Sequence, residues 1–434
     1  MKYLSAALAI LALGPICAAR ADSGSALGES SRTAALAGST TARTADAAAV
    51  HSNPGALGHA DRPLVSLGGH VGDLRMWLAR PGERPIELGQ TVAGFQGALV
   101  ARMPGPDWLR RLRLGLAVHI PAESALRITA PPRRDLPSAP LYGDRAGRIA
   151  ATFSAGVELP WHLAVGLGVQ LTPELWAPTT VSYDPSRSDD PDENVLVDLD
   201  RELRVRGAAL AGVHFSPLDA LAFGLAWRQA ATVRAYGPND TRAGPLVVDA
   251  EIDFHEVFAP EELAAGVMWE PIRRLSLSAD LEWARWSAFR TIHNEVPDTR
   301  FHDVVNVRVG AEWTPRPPLT VRAGWAFEPS PVPPQSGLQN YADADRHVIA
   351  LGLGVDLESR GWAPMRIDAH LRWHVLGRQH ATKDLATLPD VDPDAPGQQI
   401  DNLGYPSFEA SGTFVQAGLT VTIPLGGTAR EGAP

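Results

Sequence analysis

The sequence of 434 residues predicts an all-β fold: a transmembrane antiparallel β-barrel of about fourteen strands with an N-terminal plug, or hatch, in its lumen. Three observations predict this fold. Polar and apolar residues alternate with a period of two along nearly the whole chain, as in strands that meet water on one face and an apolar phase on the other. The N-terminus has the features of an export signal. Short connectors alternate with long ones, as they do in outer-membrane barrels.

The first 21 residues have the composition of a secretory signal peptide. Lys2 precedes an apolar stretch from Tyr3 to Ile16, and Ala19-Arg20-Ala21 fits an A-x-A cleavage site. We therefore expect residues 1–21 to be removed and the mature chain to start at Asp22.

Charge and cysteine content argue against two other classes of protein. The formal net charge is -10 and no basic patch is visible, which argues against a nucleic-acid-binding protein. The single cysteine, Cys17, lies in the signal segment, where Gly14-Pro15-Ile16 makes a poor lipobox, so lipid anchoring is the disfavoured alternative.

Beyond residue 21 no run reaches the roughly 18 apolar residues of a membrane helix, so any membrane span has to consist of strands. An exported protein with such strands is expected in the outer membrane of a Gram-negative bacterium.

Strand-like runs bounded by Gly, Pro, Asn or Asp clusters follow one another to the end of the chain. We predict fourteen of them, near 62–79, 91–103, 110–127, 147–158, 161–181, 193–215, 218–235, 245–270, 273–289, 300–314, 319–328, 345–358, 365–378 and 410–425. Short connectors such as Leu159-Pro160 and Ser216-Pro217 alternate with long polar ones such as 128–146 and 379–409. Periplasmic turns and external loops produce this rhythm, and an even strand number returns both termini to one side.

The facing of each strand follows from its alternation. In 366–375, Ile367, Leu371 and Trp373 share one face, whereas Arg366 and Arg372 share the other. A slip of one residue would turn both arginines toward lipid, at roughly 2 to 4 kcal/mol for each one near the midplane. A soluble sandwich or propeller also alternates, but such proteins seldom sustain so many strands without a repeat unit.

Residues 22–61 differ from the rest of the chain, because Ala, Gly, Ser and Thr dominate and no strand pattern is visible. One reading is a disordered mature N-terminus. The other is a plug folded inside the lumen, where small residues allow close backbone packing and Asn53-Pro54-Gly55 makes a tight turn. The expected organisation is a signal peptide (1–21), a hatch (22–61), a barrel (62–425) and a C-terminal tail (426–434).

Several ordered motifs resemble the FadL-type family of long-chain fatty acid and hydrocarbon transporters. The N-terminal ones are Ser31-Arg32 through Ala37-Gly38, Ala45-Asp46-Ala47-Ala48-Ala49-Val50 and Asn53-Pro54-Gly55-Ala56-Leu57. The central and C-terminal ones are Pro260-Glu261-Glu262-Leu263, Asp280-Leu281-Glu282-Trp283, Trp286-Ser287-Ala288-Phe289, Arg322-Ala323-Gly324-Trp325, Ser330-Pro331-Val332-Pro333 and Asp343-Ala344-Asp345-Arg346-His347. The likeness covers nearly the whole mature chain and is weakest between about 128 and 250.

The resemblance implies a fourteen-stranded outer-membrane barrel that binds hydrophobic molecules, admits them past an N-terminal hatch and releases them sideways into the bilayer. It implies hatch or gating roles for Ala37, Gly38, Asn53, Pro54 and Gly55. It implies no energy source, cofactor or metal. We expect the partners to be a fatty acid or hydrocarbon and outer-membrane lipid, no nucleic acid to bind, and the protein to be a monomer.

Three departures from the family pattern limit what can be inferred from the resemblance. The last strand ends at Leu425 and is followed by nine further residues, whereas outer-membrane barrels usually finish on an aromatic residue. Gly55 is an extra residue where the family usually reads Asn-Pro-Ala. The short polar connectors at 182–192 and 236–244 leave open whether an external apolar groove is present.

Small and charged residues on the inward face have two readings each. Gly166, Gly168, Gly324, Gly352 and Gly354 leave space for a ligand or accommodate strand bending and the packing of a plug. The inward charges are expected to form ion pairs between wall strands and with the plug, although a carboxylate-binding arginine for a fatty acid is not excluded; they are Asp198, Asp200, Arg204, Arg206, Asp280, Glu282, Arg308, Glu312 and Arg322.

Metal and catalytic roles are the disfavoured alternatives. His370 and His374 share the inward face, but an i, i+4 pair in a strand is about 13 Å apart, too far for one ion. Outer-membrane phospholipases are barrels with a Ser-His dyad, and no such pair stands out on the lipid-facing positions. We therefore predict a non-enzymatic protein, either an uptake channel for hydrophobic molecules or a general polar porin or structural barrel.

Overall fold

The computed structural model describes residues 30–43, 47–79, 82–122, 137–138, 149–184, 186–187, 195–243, 246–297, 299–334, 340–382 and 407–425. The signal-peptide and tail predictions (1–21 and 426–434) lie outside these residues. Twenty strands are present among the described residues: β1 (Leu64–Ala79), β2 (Ile86–Arg102), β3 (Leu112–Pro121), β4 (Pro137–Ser138), β5 (Ala150–Leu159), β6 (Leu163–Trp176), β7 (Thr179–Tyr183), β8 (Val195–Leu199), β9 (Glu202–Leu218), β10 (Leu221–Arg228), β11 (Ala231–Ala243), β12 (Leu246–Ala259), β13 (Glu262–Ile272), β14 (Leu275–Ala284), β15 (Val304–Arg316), β16 (Leu319–Glu328), β17 (Asn340–Tyr341), β18 (Arg346–Asp356), β19 (Arg366–Thr382) and β20 (Ser407–Pro424).

Fourteen of these strands form a closed antiparallel barrel, as predicted. The order around the wall is β1, β2, β3, β5, β6, β9, β10, β13, β14, β15, β16, β18, β19 and β20, and each pairs with the next. The barrel closes where β20 pairs with β1 over the whole length of β1, from Leu64 opposite Pro424 to Ala79 opposite Glu409. Closure leaves the wall without an edge, which a strand in lipid requires because unpaired backbone groups cannot be hydrated there.

The other strands lie outside the wall and correct four of the predicted runs. Each of these runs contains one strand of the wall and one strand outside it. Run 161–181 contains β6 and β7, and run 193–215 contains β8 and β9. Run 218–235 contains β10 and the start of β11, and run 245–270 contains β12 and β13. β7 pairs with β8, and β11 with β12 and β7, beyond the end of the wall. The alternation continues from wall to hairpin without a break, so the period alone cannot mark where the barrel ends.

The two faces of the wall separate as the alternation predicts. In β19, Leu371 and Trp373 are 50% and 48% exposed on the outer face, whereas Arg372 and His374 are 2% and 1% exposed inside. Other outward side chains form an apolar belt that includes Leu67, Phe95, Leu99, Leu114, Phe153, Leu167, Phe223, Leu225, Leu281, Val305, Val309, Trp325, Ile349, Leu351, Leu353, Val415 and Leu419.

The short connectors lie at the end of the barrel where β1 begins and β20 ends. They are 103–111, 160–162, 219–220, 273–274, 317–318 and 357–365. In outer-membrane barrels this is the periplasmic end, and the opposite end is called the outer end below. Among the described residues, no helix is long and apolar enough to cross a membrane.

Three short α-helices and three 3₁₀ helices complete the described structure. They are α1 (Ser31–Ala35), α2 (Ala49–Ser52), α3 (Asp107–Arg110) and the 3₁₀ helices Pro54–His59, Trp286–Ala288 and Glu358–Arg360. The first two α-helices and the first 3₁₀ helix belong to residues 30–43 and 47–60, which are named the inner segment here. Nearly all of the inner segment is buried, although its own elements are too short to bury anything alone. Its surroundings are the inward faces of the wall strands.

Candidate functional site

The first part of the inner segment is one turn of helix with a defined start and stop. Ser30 caps α1, and its Oγ accepts a 3.2 Å hydrogen bond from the Thr33 amide. At the other end the amides of Ala37 and Gly38 donate to the carbonyls of Ala34 and Thr33, both at 3.1 Å, which is a Schellman motif. Ala37 and Gly38 both have positive φ, at 51° and 81°. The chain therefore reverses sharply at the two residues that the resemblance marked in this region.

The second part turns at Asn53, whose side chain is fully buried. Its Oδ1 accepts a 3.0 Å hydrogen bond from the Gly55 amide and so caps the following 3₁₀ helix. Its Nδ2 donates to the Thr41 carbonyl at 2.7 Å and to the Val213 carbonyl of β9 at 3.1 Å. One amide side chain thus joins the two halves of the inner segment to each other and to the wall. All of its polar atoms are satisfied, so a smaller side chain would leave buried carbonyls unpaired.

A row of paired glycines receives this turn. Gly156, Gly166 and Gly212 lie directly opposite one another on β5, β6 and β9. A Cβ on Gly156 would lie 2.6 Å from the Pro54 carbonyl oxygen, and one on Gly166 would meet the Pro54 backbone. A Cβ on Gly55 would lie 2.7 Å from the Gly212 carbonyl oxygen. Backbone therefore rests on backbone, which explains why this position holds Gly55 in place of a larger residue.

Other predicted glycines have the same role. A Cβ on Gly324 would meet Leu36 and Ala37, and a Cβ on Gly352 would meet Ala35. Gly168 and Gly354 instead face side chains of the wall. At Gly166, Gly324 and Gly352 the packing reading is correct, and the space is occupied by the inner segment.

Glu312 on β15 is the main charged contact of the inner segment. Arg32 binds it with both arms of the guanidinium, at 2.7 Å from Nη2 and 2.8 Å from Nε. Arg43 Nη1 lies 3.6 Å away, and Arg322 Nε of β16 donates to it at 2.6 Å. Arg322 also donates to Asp368 at 2.8 Å. Two cations of the inner segment and one of the wall thus share a single carboxylate.

Hydrogen bonds fix the rest of the inner segment to strands around the barrel. The Thr40 and Thr41 amides donate to Asp280 Oδ2 of β14 at 2.8 and 2.9 Å. The Ser31 amide donates to Thr420 of β20 at 2.8 Å, and Ser154 of β5 donates to the Val50 carbonyl at 2.6 Å. Further bonds come from His214, Arg228, Arg372 and Arg113, on β9, β10, β19 and β3.

The periplasmic exit of the inner segment has one further tie. Arg62, just before β1, donates to Glu358 at 2.8 Å in the connector between β18 and β19. This hydrogen bond lowers the pKa of Glu358 below its usual value. The pair is partly exposed, so it contributes little compared with the buried contacts of Glu312.

A cavity of about 130 Å³ lies between the inner segment and the outer ends of β10, β13, β14, β15, β16 and β18. Its inner-segment side includes Thr40, Ala48, His51 and Pro54. Its wall side carries six charged residues, three of each sign: Arg228, Arg308, Arg346, Glu262, Glu282 and Glu328. Ala284, Val304 and Trp286 line its outer edge.

The six charges form ion pairs between strands. Arg228 pairs with Glu262, and Arg346 with Glu328. Arg308 pairs with Glu282 at 2.8 Å and lies 3.5 Å from Glu328. The side chains of Arg308, Glu282 and Glu328 are only 10–14% exposed.

An apolar cluster fills the outer end of the lumen above this cavity. Phe289 and Phe301 stack with ring centroids 4.3 Å apart, and Tyr341 stands edge-on to Phe301 at 5.2 Å. Trp286 and Phe258 complete the aromatic part. The wall contributes Leu74, Met76, Leu78, Val92, Leu376, Phe408 and Phe414. Trp286, Ala284 and Val304 belong to both the cluster and the cavity, so the two are continuous.

The structure corrects part of the charge prediction. Glu282, Arg308, Glu312 and Arg322 form the expected pairs, and Arg206 pairs with Glu174 at 3.2 Å. Asp280 binds backbone amides of the inner segment. Asp198 lies in β8 and Asp200 just after it, both exposed and outside the wall. A continuing alternation had placed these two inside the barrel.

Sequence reasoning missed the contribution of the loops to the apolar cluster. Phe289 and Phe301 come from connectors, Phe258 comes from β12 and Tyr341 from the two-residue strand β17. The alternation of the sequence does not indicate that these residues meet at the outer end of the lumen. It also did not single out Glu312 among the inward charges. No group of three or more His, Cys, Asp or Glu residues is placed to hold a metal ion in the described part of the chain.

Comparison with known families identifies part of the chain. Residues 210–373 match a family model described as "Outer membrane protein transport protein (OMPP1/FadL/TodX)". This range covers β10, β13–β16 and β18, which form the wall of the cavity. No curated protein sequence matched the chain.

Solved structures with the same fold include three bacterial proteins. A Pseudomonas aeruginosa FadL homologue has a TM-score of 0.62 at 18% identity, over 92% of this chain and 98% of that one. The P. putida toluene transporter TodX has a TM-score of 0.58 at 14% identity, over 92% and 99% of the two chains. The Ralstonia pickettii toluene transporter TbuX has a TM-score of 0.50 at 14% identity, over 92% and 98%. At these identities the likeness establishes the fold.

Proposed function

We propose that this FadL-type outer-membrane transport protein is a passive uptake channel, closed by its own N-terminal segment, that releases hydrophobic molecules sideways into the bilayer. The family and the outer-membrane location rest on the match over residues 210–373 and on the closed fourteen-strand barrel. Proteins of this family carry hydrophobic compounds across the outer membrane.

The proposal rests on the contacts that hold the inner segment inside the barrel. It makes side-chain hydrogen bonds or ion pairs with eight wall strands: β3, β5, β9, β10, β14, β15, β19 and β20. Contacts distributed around the circumference favour a segment that closes the bore, which supports gating roles for Ala37, Gly38, Asn53, Pro54 and Gly55. A polar porin needs an open aqueous lumen, so it gains nothing from a segment bound across the lumen.

The apolar cluster supports the hydrophobic substrate. A molecule that enters the outer end of the lumen has to pack among these aromatic and aliphatic side chains, where its transfer from water is favourable. Passage straight through the bore would require the inner segment to leave its buried ion pairs with Glu312. Release through the wall into hydrocarbon leaves these contacts in place, so sideways release is physically favoured. Two structural neighbours are toluene transporters, which supports a hydrocarbon as cargo, and the FadL-type match supports a fatty acid as the alternative.

Ion conductance in planar lipid bilayers tests the closure. The full-length protein is expected to show negligible conductance, and deletion of residues 22–61 is expected to give a large, steady one. Folding of both forms is checked by the heat-dependent mobility of the barrel on gels. Steady open-pore conductance by the full-length protein would refute closure by the inner segment and favour the general porin.

Native mass spectrometry tests the cargo and the oligomeric state together. We propose a monomer without catalytic activity, so a single-chain mass with a bound fatty acid or hydrocarbon is expected. A defined oligomer, or hydrolysed lipid products accumulating with purified protein, would contradict these two parts of the proposal.

A further inference from the structure

The charges around the cavity above the inner segment are balanced. Among the described lining residues, three arginines face three glutamates, and each arginine has a carboxylate partner on a neighbouring strand. Each guanidinium therefore has its charge compensated before any ligand arrives. A ligand carboxylate would add a fourth negative charge to a wall that already holds three.

The balance has consequences for what the cavity accepts. A ligand carboxylate that binds one of these arginines either places a second negative charge beside the glutamate already paired with it or displaces that glutamate and leaves it unpaired in a buried site, and both cost free energy. A neutral molecule leaves every pair intact. It also reaches the cavity directly from the aromatic cluster through Trp286, Ala284 and Val304.

The size of the cavity sets a second limit. Its volume of about 130 Å³ is close to that of an engineered apolar cavity of roughly 150 Å³ that holds one benzene molecule. A compact neutral ring fits wholly inside such a space, whereas a long acyl chain would have to extend from it into the aromatic cluster.

We infer that Glu262, Glu282 and Glu328 are specificity-determining residues: they neutralise the cavity arginines, so that the channel selects compact neutral hydrophobic molecules and rejects carboxylates. This inference rests on the proposed function and names the substrate class of the same passage. It departs from the fatty acid alternative, because no cavity arginine is left without a carboxylate partner.

Glu262 is the most direct residue to test. Its carboxylate pairs with Arg228, and Arg228 Nε has no hydrogen-bond partner among the described residues. Arg228 also donates to the His51 carbonyl of the inner segment at 3.3 Å, which holds its guanidinium at the cavity. Glu262→Gln keeps the shape of the side chain, removes one negative charge and frees Arg228 for a ligand.

Two ligands of matched shape, toluene and benzoate, separate charge from size. Binding of each radiolabelled compound to full-length protein in nanodiscs is measured by equilibrium dialysis, with empty nanodiscs as the blank. The natural protein is expected to bind toluene and to bind no more benzoate than the empty nanodiscs do. Glu262→Gln is expected to bind benzoate at least about tenfold more tightly, as a charge-assisted hydrogen bond provides. Toluene binding should change little.

Glu202→Gln is the matched control. Glu202 pairs with Arg204 at 2.9 Å in an exposed position away from the cavity, so the same substitution there should not create benzoate binding. Glu328→Gln, which removes the negative charge paired with Arg346, is the second variant in case Glu262→Gln folds poorly. A gain of benzoate binding in either cavity variant supports the inference.

The outcomes separate the inference from the proposed function. Benzoate binding by the natural protein as tight as toluene binding, or no gain in the folded cavity variants, overturns the inference and leaves the uptake channel standing. Failure of the natural protein to bind either compound, together with open-pore conductance, overturns both.

Discussion

Removing the charge of Glu312 should release the inner segment from its bound position in the lumen. Its carboxylate holds Arg32 through two hydrogen bonds of 2.7 and 2.8 Å, lies 3.6 Å from Arg43 and accepts a third hydrogen bond from Arg322. In Glu312→Gln, Arg322 keeps Asp368, but the two arginines of the inner segment lose the carboxylate of Glu312. Three guanidinium groups then repel one another in a space from which water is largely excluded.

The size of the effect follows from this geometry. Breaking a buried ion pair by removing one partner costs about 3 to 5 kcal/mol. Because two of the three arginines belong to the inner segment, most of that cost is relieved when the segment is released from the lumen. A shift of about 3 kcal/mol changes the ratio of protein with a released segment to protein with a bound segment by roughly two orders of magnitude.

Single-channel recording in planar bilayers measures this ratio as the fraction of time that the protein conducts. We expect the open fraction to rise by roughly a hundredfold in Glu312→Gln. Glu202→Gln, which breaks an exposed pair with the same chemistry, should match the natural protein. If Glu312→Gln folds and stays closed, the inner segment is not held by this carboxylate, and the reasoning from buried charge is wrong.

Two further predictions concern the glycine row and the outer face. Gly212→Val should displace the turn at Asn53, because a Cβ there would meet Asn53 Oδ1 and lie 2.9 Å from the Gly55 amide nitrogen. Protease cleavage within residues 47–60 should therefore become fast. Gly89→Val is the control and should leave the cleavage rate unchanged, because a Cβ on Gly89 has nothing within 4 Å. Leu371→Arg on the outer face should lower the free energy of unfolding in liposomes by about 2 to 4 kcal/mol, measured by urea titration. Val197→Arg in β8, beyond the wall, should have almost no effect, and equal losses at both sites would contradict the assigned membrane position of β19.

Much of the barrel follows from local alternation. The outward facing of Leu371 and Trp373 and the burial of Arg372 and His374 were predictable, because the period of a strand is fixed by its backbone. Fourteen wall strands were also predictable, since each needs about ten residues and a turn. The ends of the wall were not, because β7, β8, β11 and β12 continue the same alternation in hairpins that lie beyond the end of the wall.

By itself, the sequence determined the faces of the strands, the class of membrane protein and the presence of a small-residue segment suited to close packing. Only the tertiary structure decided which glycines meet which turn, that Glu312 collects three arginines, and that the cavity arginines are neutralised in pairs. The physical reason is the separation along the chain. Arg32 and Glu312 are 280 residues apart, and such contacts are set by closure of the whole barrel, which no local period encodes.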